Sequence, residues 1–136
     1  MSFILTTAGI AESSGKYFIA QRKPGCSIPY KWEFPGGKVK GGEEPEEALS
    51  REYFEEFNLK IRVLEKFCSL FFKNGEKKYK LLVFRIEILP GTVILKEHSR
   101  FAWKGIGELE NVDFSDSDSL ILSELLKTRD YLNRRD

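Results

Sequence analysis

Residues 37–59 read GKVKGGEEPEEALSREYFEEFNL, and this stretch decides the fold of the 136-residue chain. It opens with glycines that suit a turning backbone, and residues 44–58 then favour a helix. Pro45 lies where a first-turn proline is tolerated, and the glutamates around it suit the positive end of the helix dipole. Asn58 is expected to end the helix as a left-handed cap. The stretch therefore predicts a loop that leads into a strongly acidic helix.

Seven glutamates lie between Glu43 and Glu56, against a single basic residue, Arg51. Glu52, Glu55 and Glu56 have spacings of three and four, which put them on one stripe of the helix. Like charges at this spacing destabilise a helix by roughly 0.2–0.5 kcal/mol per pair. The stripe therefore lacks a cation, whereas the glutamates of the first turn are explained by the helix dipole.

The other side of the predicted helix carries aromatic residues. Tyr53, Phe54 and Phe57 form a surface that we expect to pack on a sheet, with the glutamate stripe on the exposed face. Carboxylate oxygens with no His or Cys nearby suit Mg²⁺ or Mn²⁺ and do not suit zinc. On spacing alone, a metal site and a solvated helix face are both open.

The stretch also matches a longer pattern: glycine, five residues, glutamate, seven residues, then Arg-Glu-U-x-Glu-Glu-x-Gly-U, where U is bulky and apolar. The matching residues are Gly37, Glu43, Arg51, Glu52, Glu55, Glu56 and Leu59. This pattern is the Nudix box, so the chain resembles the Nudix hydrolases. Tyr53 stands at the first U position and Asn58 replaces the last glycine, and neither change removes a carboxylate.

The resemblance implies an α/β/α sandwich and Mg²⁺-dependent hydrolysis of a nucleoside diphosphate linked to another moiety. It implies that the Gly36 carbonyl, together with Glu52, Glu55 and Glu56, holds Mg²⁺, with Mn²⁺ as an alternative. A carboxylate cluster needs such a cation because it would otherwise repel the phosphates of the substrate.

Catalytic roles follow from the same resemblance. Glu52 is the candidate general base, and Glu97, in a distal loop, is the alternative. Glu55 is expected to align the reacting centre. Arg51 is expected to orient the glutamates through charge-assisted hydrogen bonds.

The resemblance to MutT-like Nudix proteins extends beyond the box, to Gln21-Arg22, to residues 32–38 and to Asp113-Phe114. It places five residues at the substrate site: Arg22, Glu33, Phe34, Pro35 and Asp118. Arg22 is either the partner of a phosphate or a surface arginine. Asp118 is either a reader that accepts hydrogen bonds from the base or a helix cap.

The remaining patterns predict an α+β fold or a three-layer α/β/α sandwich around a mixed sheet. Strands are expected at 3–11, 17–22, 61–73, 78–89, 93–96 and 101–103, and a C-terminal helix at 115–133. The turn between the third and fourth strands is expected at Asn74-Gly75. We expect a single domain that spans residues 1–136.

Composition excludes several classes of protein. Lysine and arginine number 22 against 21 acidic residues, so no chain-wide basic field favours nucleic acid, and we expect no stable nucleic-acid binding. Apolar runs are too short for a membrane span, and the N-terminus is unlike a signal peptide. Cys26 and Cys68 are too few for a disulfide framework, which favours the cytoplasm. We interpret His98 as a loop residue rather than a metal ligand.

The leading hypothesis is a pyrophosphohydrolase that converts a (deoxy)nucleoside triphosphate into the monophosphate and pyrophosphate. The alternatives are a Nudix hydrolase of a dinucleoside polyphosphate or of ADP-ribose, and a module that senses a nucleotide without cleaving it. Tyr79 keeps the dinucleoside substrate open, whereas the absence of proline at 73–76 speaks against ADP-ribose. The protein is expected to be a monomer or a homodimer.

Overall fold

The computed structural model describes residues 2–26 and 28–135, with side chains described up to residue 129. The strands are β1 (Ile4–Ser13), β2 (Lys16–Arg22), β3 (Trp32–Glu33), β4 (Ile61–Asn74), β5 (Lys77–Ile88) and β6 (His98–Gly105). The helices are α1 (Pro45–Phe57), α2 (Ile106–Leu109) and α3 (Asp116–Arg135). None of the described helices is long and apolar enough to cross a membrane.

The strands form one mixed sheet in the order β3-β2-β1-β5-β4, and β6 pairs with β2 along its whole length, from Lys16 to Arg22. β1 and β5 run parallel, from the pair Ile4 and Tyr79 to the pair Ala11 and Ile86. The other pairings are antiparallel. β1 therefore joins the long β4–β5 hairpin to the smaller group formed by β2, β3 and β6.

Side chains alternate along the strands, so the sheet has two apolar faces, each with its own core. The core on the α3 side contains Ala8, Ile10, Ile19, Phe34, Leu81, Val83, Ile121 and Leu125. The core on the α1 side contains Ala11, Phe18, Ala20, Leu49, Tyr53, Phe57, Phe84 and Ile86. This arrangement confirms the predicted α/β/α sandwich around a mixed sheet.

Helix α1 begins and ends as its sequence predicts. The Glu44 N–H donates to Glu47 Oε1 at 3.0 Å, and Asn58 ends the helix with a left-handed φ of 59°. Tyr53 and Phe57 pack against the sheet, but Phe54 is 49% exposed. The predicted packing of Phe54 is therefore wrong, because the buried arc of the helix is centred on the other side of Tyr53.

The predicted strand at 93–96 is also wrong. The backbone of this segment bonds to the end of α1 instead of a neighbouring strand. The Ile94 N–H donates to the Phe57 carbonyl at 3.0 Å, and the Lys96 N–H donates to the Glu56 carbonyl at 3.1 Å. These carbonyls belong to the last turn of the helix, where no intrahelical partner is left for them. The segment thus closes the end of α1 and leads to β6.

The other predicted strands and the C-terminal helix are confirmed, with small shifts at their ends. The hairpin turn consists of Gly75 and Glu76, one residue later than predicted, and Gly75 has a φ of 65°. β3 and α2 were not predicted, because two residues and four residues are too short to show a periodic pattern.

Candidate active site

The loop before α1 lies so close to its neighbours that it leaves no room for side chains. A Cβ atom on Gly36 would lie 2.0 Å from the carbonyl oxygen of Thr7. A Cβ atom on Gly37 would lie 2.3 Å from the carboxyl carbon of Glu52. Position 36 therefore requires glycine because its neighbours are backbone atoms, whereas a side chain at position 37 would displace the carboxylate of Glu52. The close approach brings this backbone directly against the glutamates of α1.

The same loop follows β1 as an added strand would. The Gly9 N–H donates to the Pro35 carbonyl at 2.9 Å. The Thr7 N–H donates to the Gly37 carbonyl at 2.8 Å. Successive carbonyls of an extended backbone point in opposite directions. The Gly36 carbonyl oxygen, which lies between them, therefore faces away from β1.

Arg51 joins the carboxylates of α1 and its approach. Its Nε and Nη2 donate to Glu43 at 2.7 and 3.1 Å. Its Nη1 donates to Glu52 at 2.9 Å and to Glu55 at 3.1 Å. These charge-assisted bonds lower the pKa of Glu43 to about 2. One guanidinium thus holds three glutamates in fixed positions, while its catalytic role stays a prediction.

The glutamates of the predicted stripe differ in exposure. Glu55 is half-exposed, Glu52 is largely covered, and Glu56 is only 6% exposed. The expectation of an exposed face is therefore wrong for Glu56, because the helix turns it towards the sheet together with Tyr53. Burial raises the pKa of Glu52, and burial with the charge of Glu33 raises the pKa of Glu56 to about 10. Glu56 Oε1 has no hydrogen-bond partner among the described residues.

Strand β3 places Glu33 beside Glu56 in the interior. Glu33 Oε1 lies 2.9 Å from Arg22 Nε, and Glu33 Oε2 lies 2.9 Å from His98 Nε2. The Arg22 N–H does not point at Oε1, so this contact is an ion pair and not a hydrogen bond. His98 is buried at the start of β6 and stacks on Phe57, with ring centroids 4.9 Å apart. The interpretation of His98 as a loop residue is therefore wrong.

Asp118 lies buried in the first turn of α3, opposite the residues that follow β3. Its Oδ1 accepts from the Phe34 N–H at 2.9 Å, and its Oδ2 accepts from the Ser115 hydroxyl at 2.5 Å. The Asp118 N–H in turn donates to Ser115 Oγ at 3.4 Å, which closes a reciprocal cap. Burial, followed by the charge of Glu33, raises the pKa of Asp118 to about 7.

A cleft of about 420 Å³ lies between the loop before α1 and the start of α3. Its walls come from β1, β5, the loop before α1 and the start of α3. Arg22, Glu33, Gly36, Gly37, Tyr79 and Asp118 are among the residues that line it. Gly37, which lines the cleft, lies against Glu52, so this wall of the cleft backs onto a glutamate of α1.

Comparison with known proteins identifies this arrangement. Residues 6–123 match the NUDIX domain. The chain belongs to the Nudix family. The matched range runs from β1 to α3, so it includes the glutamate helix and every wall of the cleft.

Curated Nudix relatives cover nearly the whole chain. A Buchnera aphidicola (subsp. Schizaphis graminum) protein named 8-oxo-dGTP diphosphatase is 33% identical over 127 residues, which are 93% of this chain and 96% of that protein. An Escherichia coli K12 protein named CTP pyrophosphohydrolase is 29% identical over 129 residues, 95% and 96% of the two chains. The solution structure of the E. coli ORF135 protein superposes with a TM-score of 0.85 at 29% identity, covering 95% of this chain and 92% of that one.

Glu97 lies outside the Nudix box but close to it. It is exposed and directly precedes the buried His98. Its charge contributes to the raised pKa values of Glu52 and Glu56. The segment that closes the end of α1 therefore also brings a fourth carboxylate to the glutamates of the Nudix helix.

The side chains of Phe34 and Pro35 are buried. The Phe34 ring stacks on Phe114, with centroids 5.0 Å apart and planes 11° apart, and it borders the cleft. Arg22, Glu33 and Asp118 also line the cleft. Glu33 is paired with both Arg22 and His98. Substrate contact by all five residues stays a prediction.

The donor set predicted for the metal site suits a hard divalent cation in its chemistry, because three carboxylates and a backbone carbonyl supply only oxygen atoms, as Mg²⁺ prefers. The buried Glu56 Oε1, without a partner, is the clearest sign, because a buried carboxylate that lacks compensation is costly. The described group whose ligand atoms lie within 4.8 Å of one another is Glu33, Glu56 and His98, so metal binding by Glu52, Glu55 and Glu56 stays a prediction.

Sequence reasoning did not identify the contribution of His98 to this region. It is the single histidine of the chain and follows Glu97 directly, but its ring meets Glu33 across 65 positions of sequence. No periodic pattern relates residues from two different strands. The sequence offered one signal, which is that His98 directly follows Glu97, the alternative candidate base.

Proposed function

We propose that this protein is a Mg²⁺-dependent pyrophosphohydrolase that converts a (deoxy)nucleoside triphosphate into the monophosphate and pyrophosphate. One observation carries the proposal: a single cleft is lined both by Gly37, which lies against Glu52 of the Nudix helix, and by Asp118 at the start of α3. A site of this form can hold a phosphate chain at the carboxylates and a base at the start of α3.

The Gly36 carbonyl, Glu52, Glu55 and Glu56 would hold the metal. Bound Mg²⁺ supplies neutralisation of the phosphate oxygens and a lowered pKa for a coordinated water. The fixed position of Gly37 against Glu52 and the bonds from Arg51 keep the carboxylates in place before substrate arrives. Such preorganisation is a large part of catalysis of phosphoryl transfer.

Glu52 is the proposed general base. Its Oε1 accepts from Arg51 Nη1, which leaves Oε2 to take the proton of the attacking water. Its raised pKa, caused by burial, brings it nearer to the operating pH, as a base requires. Glu97 is the alternative base, because it is exposed and close to the same carboxylates.

Arg22 and Asp118 are the proposed substrate contacts. The Arg22 guanidinium lines the cleft and suits a phosphate oxygen. Asp118 accepts hydrogen bonds, so it suits bases with exocyclic amines. The relatives named for 8-oxo-dGTP and for CTP are named for two such bases, which supports this assignment.

A second candidate is hydrolysis of a dinucleoside polyphosphate. It is favoured by Tyr79, which lines the cleft and stacks on Phe72 with centroids 4.9 Å apart and planes 5° apart. Such a pair can support a second base. Identification of products distinguishes the two candidates, because a triphosphate yields pyrophosphate and a dinucleoside substrate yields two nucleotides.

The test is hydrolysis of a panel of nucleoside triphosphates, oxidised dGTP, ADP-ribose and diadenosine polyphosphates with Mg²⁺ and with excess EDTA. We expect monophosphate and pyrophosphate from a triphosphate, and loss of turnover in EDTA. Full turnover in EDTA, or cleavage of none of the triphosphates, would contradict the proposal.

We further propose that residues 1–136 act as one domain in the cytoplasm, as a monomer or a homodimer. Cys26 and Cys68 are both free thiols, which fits a reducing compartment. Sedimentation of the purified protein at several concentrations distinguishes the two oligomeric states.

A further inference from the structure

Glu33, Glu56 and His98 form a second group of potential ligands, behind the exposed glutamates of the Nudix helix. Their side chains each offer one ligand atom, and these atoms lie within 4.8 Å of one another. The three residues are 7%, 6% and 5% exposed. They come from β3, α1 and β6, so the sheet and the helix hold them together from three directions.

The contacts around this group fix the orientation of its side chains. Glu33 Oε1 is engaged by Arg22, which leaves Oε2 on the side of His98. The His98 ring is held flat against Phe57, with planes 20° apart. Outer contacts of this kind orient metal ligands in proteins and are a feature of built sites.

Contacts within the protein compensate only part of this group. Glu33 is ion-paired with Arg22 and hydrogen-bonded to His98. Glu56 Oε1 is buried and has no partner among the described residues. A buried carboxyl of this kind is either protonated or compensated by a positive charge. No described basic side chain bonds to that oxygen, so a bound cation is the compensation open to its ionised form.

We propose that Glu33, Glu56 and His98 form a second divalent-cation position, buried beside the Nudix-box position and sharing Glu56 with it. An imidazole with two carboxylates suits Mn²⁺ and similar transition-metal ions better than Mg²⁺, which takes oxygen ligands. The second position should therefore bind a first-row transition-metal ion in preference to Mg²⁺, and Mn²⁺ is the spectroscopic probe for it. The proposal does not depend on which nucleotide is hydrolysed, and its test is made without nucleotide.

The first experiment uses the wild-type protein and depends on its single histidine. Pulsed EPR of the Mn²⁺-loaded protein is recorded with natural histidine and with ¹⁵N-labelled histidine, which labels one residue. We expect an imidazole nitrogen coupling that changes from ¹⁴N to ¹⁵N with the label, and that persists in excess Mg²⁺. Mn²⁺ with oxygen ligands alone, and no change on labelling, overturns the proposal.

The second experiment counts bound Mn²⁺ in variants. Glu33→Gln and His98→Asn should each remove one of the bound Mn²⁺ ions. Glu46→Gln, an exposed change on the helix that carries Glu56, should remove none. Unaltered binding in both Glu33→Gln and His98→Asn overturns the proposal. Circular dichroism checks that the variants fold. If a variant does not fold, the EPR experiment on the wild-type protein still tests the proposal. Mg²⁺-dependent hydrolysis is measured separately, so its failure is distinguishable from failure of the second position.

Discussion

Two groups of carboxylates lie along helix α1 and its approach, and they are compensated in opposite ways. Glu43, Glu52 and Glu55 share the guanidinium of Arg51 at 2.7–3.1 Å. Glu56, only one position beyond Glu55, is buried and has an oxygen without a partner. The chain supplies one positive charge to the three carboxylates of the first group. It supplies no partner to Oε1 of Glu56 among the described residues.

The pKa values reflect this difference. Arg51 lowers the pKa of Glu43 to about 2, so this carboxylate is charged at any ordinary pH. Burial raises the pKa of Glu56 to about 10 and the pKa of Asp118 to about 7. Neighbouring carboxylates can thus be prepared for different tasks, since one is a permanent charge and the other gains its charge when a cation or substrate arrives.

The largest expected effect is a loss of turnover when Glu55 or Glu56 is replaced, and at the buried Glu56 this loss should come without a loss of stability. Glu55→Gln and Glu56→Gln should each lower kcat by at least about 100-fold, the scale of losing a group that aligns the reacting centre. Glu56→Gln should leave the melting temperature of the metal-free protein nearly unchanged, because a neutral amide replaces a carboxyl that is protonated there at pH 7. Steady-state kinetics and thermal unfolding measure the two effects.

Glu46→Gln is the matched control for both variants, because Glu46 lies exposed in the first turn of the same helix. It should leave kcat within about twofold, as expected for a surface change far from the site. An equal loss at Glu46, or a collapse of the Glu55→Gln fold, would remove the distinction between the two groups.

The next effect concerns the base-binding end of the cleft. Asp118→Ala should lower kcat/KM by about 10- to 150-fold for a purine triphosphate or CTP, and much less for UTP and dTTP. The reason is that an acceptor matches exocyclic amines and offers nothing to the O4 of uracil or thymine. Competition assays over the nucleotide panel measure this. Equal slowing of all nucleotides would show that Asp118 acts only through its bonds to Phe34 and Ser115.

A smaller effect is expected from Arg51→Lys. An ammonium cannot reach Glu43, Glu52 and Glu55 together as the planar guanidinium does. We expect kcat to fall about 10-fold, with a modest rise in the Mg²⁺ concentration needed for half activity. Metal titrations of the variant give both values. A variant with wild-type kinetics would show that the glutamates are positioned by the backbone alone.

The smallest effect is a pH dependence of stability in the metal-free protein. The folded pKa of Asp118, about 7, lies above its ordinary value of 3.8, so between these values the folded state binds more protons than the unfolded state. The free energy of unfolding should therefore fall as pH rises from about 4 to about 7. Asp118→Asn should flatten this slope by an amount worth a few degrees in melting temperature. A variant with the wild-type slope would place the titration elsewhere.

The parts that could be predicted from sequence are those with local causes. The left-handed cap at Asn58 and the contacts of Arg51 follow from residues within one or two turns of a helix. The β4–β5 hairpin follows from a two-residue turn that contains Gly75. In each case the deciding residues lie close together in the chain, so spacing alone carries the information.

The burial of Glu56 could not be predicted, because it depends on which arc of α1 meets the sheet. Phe54 and Glu56 lie on either side of Tyr53, and hydrophobicity favours the burial of Phe54. In the structure Glu56 is buried beside Glu33 and His98, which come from distant strands. Such an arrangement is visible only after the sheet has been assembled.

The parallel pairing of β1 with β5 sets when the cleft comes into existence during folding. Ile4 pairs with Tyr79, so 75 positions separate the first partners in this register. Closing a loop of this length lowers the chain entropy before the stabilising contacts between β1 and β5 can form. The β4–β5 hairpin, in contrast, closes over a turn of two residues. The hairpin can form early, and the cleft forms only when β1 docks beside it. A nascent chain that ends just after α1 already carries every glutamate of the Nudix box, and it still has no pocket to bind a nucleotide.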